Sequence, residues 1–244
     1  MTRIGVQAAP GRARLDLTQG PISPRVLQVT DGGARVGLVA TVALLLGGDH
    51  LVIDLSVGPG AWLEIVETAG TVAYDAGGIA SSWTVRAKLA ENAVLIWLGE
   101  PFVVAQGANV RRNTTIELAD GAVACLRETL VLGRTGETGG IVRSTMAVGV
   151  DGAPLLLEDL ELGAHRDLPG VIGAARVVDS LALLGTRAPA GPEMLTGNRF
   201  ELDGPGTIVR HLGMSAASSP VGPISAAWRP AVWAEAGSAE RLPH

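Results

Sequence analysis

The chain is poor in the residue types that most often carry chemistry. Cys125 is the single cysteine in 244 residues, so no internal disulfide can form, and a reducing compartment, the cytoplasm by default, is expected. Aromatic residues amount to 3%, with two Phe and one Tyr, and Lys88 is the lone lysine among basic residues that are otherwise all Arg. A net charge of −5, with Arg111-Arg112 as the sole basic doublet, supplies neither the cationic surface nor the stacking rings of a nucleic-acid site. The longest apolar runs, residues 36–46 and 177–184, are too short to cross a bilayer, and no charged segment leads into an apolar stretch at the start, so neither a membrane span nor export is expected. Nucleophile elbow, Walker loop and dinucleotide fingerprint are all missing, which argues against the common hydrolase and kinase plans. His50, His165, His211 and His244 stand singly, none at a recognised metal spacing from Cys, Asp or another His. No resident metal and no tightly bound cofactor is therefore expected.

What is present is alternation. Leu51, Ile53, Leu55 and Val57 share one face of a strand and Val52, Asp54 and Ser56 the other, and Trp83, Val85, Ala87 and Leu89 oppose Thr84, Arg86 and Lys88. Four polar turns end in a small residue and Ala: Gly60-Ala61, Asn92-Ala93, Gly121-Ala122 and Gly152-Ala153. They recur roughly every 30 residues, the kind of period that marks stacked units. Each follows a strand-like segment (51–57, 83–89, 109–118, 141–150), so each unit reads strand, tight turn, strand, with Asp120-Gly121 and Asp151-Gly152 as hairpin signals. Several runs are apolar on both faces, as a sheet covered on both sides would require, and no helix-length segment separates the strands, which excludes βαβ units. Beyond Glu161 the texture changes. Val171, Ile172, Ala175, Val178, Leu181 and Ala182 recur at helical spacing, so 171–184 is predicted as an amphipathic helix. Residues 191–197 are predicted as a short helical turn, 207–212 as a returning strand and 224–236 as a second helix bent at Pro230. The expected fold is mainly β, with stacked antiparallel or mixed layers resembling a two-layer β-helix and a small C-terminal helical part. It forms one domain over 1–244: a β stack over 20–162, a helical part over 163–236 and a tail over 237–244.

Cys125 sits between Ala124 and Leu126 with no His nearby and reads as an inert core thiol. The carboxylates are the more informative set. Glu64, Glu67, Glu128, Glu137, Glu158, Asp159 and Glu161 fall in or beside predicted strands. Pointing inward, they would line a polar path for a cation; pointing outward, they would be ordinary solubilising groups, the commoner case. The spacing of Asp159 with Glu161, or Glu64 with Glu67, also admits an acid/base pair in an all-β enzyme, and a purely structural β stack that associates through its edges is a third reading.

The string Leu98-Gly99-Glu100-Pro101-Phe102-Val103, then Glu117-Leu118 to Gly121-Ala122, then Leu132-Gly133-Arg134-Thr135-Gly136-Glu137, resembles the urease accessory protein D family, called H in some organisms. Gly47-Gly48-Asp49 before a strand, the small turn before Trp62 and the late Trp228-Arg229-Pro230 are similar to landmarks of that family in placement, and the resemblance spans about residues 20–233. It departs over 67–74, where the Gln and basic residue common in the family are missing, and at Gly99-Glu100-Pro101, which shortens a Pro-Asp-Pro type turn. The chain is thus similar to a divergent member. The resemblance implies a non-enzymatic scaffold that binds apo-urease, recruits accessory proteins F and G, and supports nickel delivery to urease. It also implies a water-filled passage lined in part by acids that nickel would contact only transiently, and leaves room for a homodimer within the complex. Under that reading Glu64, Glu128, Glu137 and Asp159 are candidate path residues. Arg134, Trp228 and Trp233 are candidate partner-binding residues, with the alternative that the two Trp pack the last helix onto the sheet. A mean hydropathy of +0.33 fits apolar surface covered by a partner.

Overall fold

The computed structural model describes residues 1–168, 170–189 and 198–235. Among these, seventeen strands form two facing sheets. The seven-stranded sheet A holds β1 (Thr2–Gln7), β2 (Arg14–Thr18), β5 (His50–Val57), β8 (Ser81–Leu89), β11 (Asn109–Leu118), β13 (Ile141–Val150) and β14 (Ala153–Leu162), in the order β14-β13-β11-β8-β5-β1-β2. Sheet B runs β16-β17-β15-β12-β9-β6-β4-β3, that is Arg199–Glu201, Gly206–Gly213, Val177–Leu184, Val123–Leu132, Val94–Leu98, Trp62–Glu67, Gly33–Ala40 and Ile22–Val29. The short β7 (Thr71–Ala73) and β10 (Phe102–Val104) extend it to ten strands. The chain winds from one sheet to the other and back, so β5, β8, β11 and β13 pair in parallel on one side while β6, β9 and β12 pair in parallel on the other. Stacked, mixed β layers are thus what forms.

The recurring turns explain this winding, and one correction follows from them. At Gly60, Asn92 and Gly121 the turn is closed by the amide of Ala61, Ala93 or Ala122 bonding the carbonyl three residues back, at 3.0 Å each. Only the third residue of each turn has positive φ (+60°, +54°, +65°). A single left-handed residue there is the type II pattern, whose twist does not fold a strand back beside its neighbour. These are corners between sheets, and Asp120-Gly121 is not the hairpin its sequence predicts. Asp151 and Gly152 both have positive φ, +48° and +78°, which is the requirement for a type I′ hairpin. That turn joins β13 to β14 in antiparallel register. The corner alanines are buried and stack, Val94 N bonding Ala61 O and Val123 N bonding Ala93 O, both at 2.9 Å.

The main core fills the space between the sheets. Leu51, Ile53, Leu55, Trp83, Val85 and Ala87 meet Leu63, Ile65, Leu95, Leu126 and Leu130 there. A second core lies on the outer face of sheet B, where Trp62, Val94, Ile96, Val123 and Leu183 are covered by α1 (Val221–Glu235) through Val221, Ile224, Trp228, Val232 and Trp233. Pro230 sits inside α1 on its exposed side, where a missing N–H is least costly.

The predicted helix over 171–184 is a second correction. Residues 171–174 form turns and Val177–Leu184 is the strand β15. Val178, Ala182 and Leu184 enter the main core while Leu181 and Leu183 face α1. A strand buried on both faces is apolar throughout, so it also satisfies helical spacing. The returning strand is present as β17 and the last helix as α1. The predicted turn over 191–197 and the tail over 237–244 lie outside the described residues.

Candidate functional site: an ion-paired interior

Register places polar groups at one level across the core. On sheet A, Trp83, Arg112 and Ser144 are lateral neighbours on β8, β11 and β13, and on sheet B so are Glu128, Ser180 and Arg210 on β12, β15 and β17. Alternation aims all of them between the sheets, since Val110 and Leu126, two residues away, lie in the main core. Two ion pairs then bridge the sheets with opposite polarity. Arg112 Nη2 donates to Glu128 Oε1 at 2.8 Å, and Arg210 donates through Nη1 and Nη2 to both oxygens of Glu158 at 2.6 and 2.8 Å, and through Nε to Ser180 at 2.9 Å. At the other end Glu67 accepts from Trp97 Nε1 at 2.7 Å and from the Glu100 amide at 3.0 Å. Burial pushes the Glu67 carboxyl above its ordinary pKa, outweighing those two bonds and the nearby Arg112 charge, which act the other way.

Cavities connect these groups. A mouth of about 300 Å³, bounded by Val42, Leu44, Tyr74, Glu67, Thr71 and Trp83, adjoins a smaller cavity through the last three residues. That cavity, about 30 Å³, shares the Leu126 and Glu128 side chains with a second of similar size beneath Glu158 and Arg210. Each inner cavity has room for a water molecule or two. The polar groups therefore line up across the core from the segment around β7 to the space between β14 and β17.

Of the four candidate path acids, Glu64, Glu128, Glu137 and Asp159, Glu128 lies on this line, together with Glu67 and Glu158 from the wider set of strand carboxylates. Glu64 lies on the opposite face of β6, under α1, where its Oε1 accepts from Arg229 Nη2 at 2.7 Å and its Oε2 faces Arg35 Nε at 3.3 Å. Glu64 and Glu67 thus point to different sides of the sheet, which removes them as an acid/base pair. Asp159 lies on the exposed face of β14 in a two-pronged pair with Arg143, which lowers its pKa, and Arg143 is also the register partner of Glu161. Glu137 lies in the loop after β12. Its carboxylate accepts from Arg134 Nε at 2.8 Å and from the amides of Arg134 and Gln106 at 2.9 and 3.1 Å. The Arg134 side chain foremost, then the two amides, hold Glu137 down at about 2. Trp228 and Trp233 are buried against sheet B, Trp233 meeting Trp62 edge-on at 5.0 Å between ring centres. Burial raises the Cys125 thiol to about 12 beneath α1, as an inert core thiol requires.

Several working residues escaped the sequence reading. Arg176 donates to the carbonyls of Leu132, Gly133, Arg134 and Glu137 at 2.9 to 3.2 Å and so shapes the Arg134–Glu137 loop. Asp179 is fully buried, held by Arg127 at 3.1 and 2.8 Å and by Thr129 Oγ1 at 2.8 Å. Arg112 is 7% exposed, with its Nε and Nη1 lacking hydrogen-bond partners among the described residues. No three His, Cys, Asp or Glu side chains among the described residues converge to hold a metal, and no described helix is long and apolar enough to cross a membrane.

Comparison with known proteins adds an independent line. The family described as UreD urease accessory protein matches residues 2–243. A urease accessory protein UreD 1 from Streptomyces griseus is 47% identical over 197 residues, covering 80% of this chain and 76% of that protein. A UreD from Frankia casuarinae is 39% identical over 197 residues (76% and 60%), and a UreD 2 from Saccharopolyspora erythraea is 36% identical over 171 residues (68% and 60%).

Proposed function

This chain belongs to the UreD family of urease accessory proteins, with the role in urease maturation that membership implies, and from that premise we propose that it is a non-enzymatic scaffold for nickel insertion. It holds apo-urease together with accessory proteins F and G in the cytoplasm, in a complex that can contain two copies of the chain, and it offers nickel a route through its own interior. The observation that carries the route is the line Glu67, Arg112, Glu128, Glu158 and Arg210 along a row of neighbouring cavities that share lining residues. Arg112 is buried and the other four are half-buried, and packing alone gives no reason for five ionisable groups to share that desolvation cost. Isolated carboxylates suit transit: hard oxygen ligands exchange with water, whereas a His or Cys cluster would trap nickel. Arg134 and its loop, rigid and exposed, suit a partner contact.

The test is urease maturation in cells with and without this chain, with co-purification of urease and the other accessory proteins under nickel-replete conditions. Activity and a co-purifying complex that both depend on the chain are the expected result. Full urease activity in its absence would refute the role.

A further inference from the structure

The interior line has one feature that a route for a dication does not need. One of its two small cavities carries a cation that is bonded through a single nitrogen. Arg112 bonds Glu128 and shares the lining of one small cavity with it and with Glu67. We propose that Arg112 is an internal stand-in for the divalent cation, neutralising the Glu67 and Glu128 carboxylates while the route is empty and swinging aside when nickel replaces it. The proposal rests on the route described above and names how that route is kept shut.

Three observations favour Arg112 for this part over the other interior arginine. Arg210 is held at both terminal nitrogens by Glu158 and at Nε by Ser180, so its fork is satisfied. Arg112 is tethered through Nη2 alone, and its Nε and Nη1 are buried without a hydrogen-bond partner among the described residues. Moving it therefore breaks one charge-assisted bond instead of three. Its remaining contact is the face of Phe102, with the guanidinium carbon 4.6 Å from the ring centre. That contact is non-directional and tolerates a swing. Phe102 itself opens β10, just after the Gly99-Glu100-Pro101 break that separates β10 from β9, so the ring lies beside an interruption in sheet B. An anion is a poor occupant of this cavity, because Glu67, Glu100 and Glu128 all line it. A cation arriving there meets carboxylates already matched by a guanidinium and gains little until Arg112 leaves. Without Arg112, Glu128 would lose its ion pair and Glu67 would keep only the Trp97 and Glu100 donors, a state that favours recruiting a proton or a metal ion.

The experiment is nickel titration of the purified full chain, without a histidine tag, by calorimetry and by thermal melting. The chain is compared as wild type, Arg112→Gln and Arg112→Gln combined with Glu128→Gln. Arg112→Gln is expected to bind one nickel ion at least tenfold more tightly than wild type and to melt at a higher temperature in nickel, and the double variant is expected to lose the gain. Should Arg112→Gln fold poorly alone, nickel is expected to restore its cooperative melting, since metal binding then supplies folding free energy. Equal nickel affinity in wild type and Arg112→Gln, or a variant that nickel neither tightens onto nor refolds, would overturn the stand-in role. Maturation of urease by Arg112→Gln reads the route separately. The nickel gain with unchanged maturation would keep the stand-in chemistry and remove the route, whereas no gain with defective maturation would do the reverse.

Discussion

Arg127 and Glu128 are adjacent on β12, yet their ion pairs live in different worlds. Arg127 points outward, toward α1, and meets Asp179 through two parallel bonds while Thr129 supplies a third. Asp179 is completely buried and its oxygens are fully occupied there. Glu128 points inward, meets Arg112 through one bond, and leaves cavities on both sides of the pair. The outer network has the features of a structural device: closed and bidentate. The inner pair is under-coordinated, with Arg112 Nε and Nη1 unpartnered among the described residues, which is unfavourable for stability and suited to groups that must change partners. One residue of register separates the two designs.

Substitution should expose this difference, most strongly on the outside. Asp179→Ala is expected to cost about 3–5 kcal/mol, because it strands Arg127 and Thr129 under the helix; urea unfolding reads it, and a cost under about 1 kcal/mol would erase the contrast. Glu128→Gln should cost less, about 1–2 kcal/mol, since the amide oxygen can still accept from Arg112 and water reaches the cavity. If the inner pair proved as costly to break as the outer, it would be structural. Glu67→Gln should change the pH dependence more than the stability. The folded-state pKa of Glu67 is raised, so its contribution is fully present below the ordinary carboxylate range and is lost as pH rises through the raised value. Relative to wild type, Glu67→Gln is therefore expected to gain stability from acid toward neutral pH, by urea unfolding at several pH values. A flat difference would contradict it. Asp159→Asn sets the baseline, with no shift of the urea midpoint expected for an exposed pair.

How much of this was legible in the sequence depends on the face. Strand positions were, because Leu51 to Val57 and Trp83 to Leu89 alternate cleanly and the corner alanines recur. The corners themselves were not. Asp120-Gly121 and Asp151-Gly152 have the same letters, and only the φ of the Asp, positive at Asp151, separates a hairpin from a turn to the other sheet. β15 read as a helix because both its faces are buried. Glu128 was identified among the acids, but without a fixed face Glu64 could not be told from Glu67, although Leu63 and Ile65 share the inward side with Glu67 alone. Arg111-Arg112 looked like a basic doublet, whereas alternation splits it into an exposed residue and a buried one. Nothing local signals Arg176 or Asp179, whose partners lie roughly 40 to 50 residues away in sequence.

The most direct test of the interior route is the nickel content and activity of urease matured in cells that express this chain as wild type, Glu128→Gln or Asp159→Asn, with the complex recovered in each case. The expected result is at least a tenfold loss with Glu128→Gln, an undiminished complex, and full maturation with Asp159→Asn. Full nickel loading with Glu128→Gln, or an equal loss from the exposed Asp159, would contradict a route through the interior.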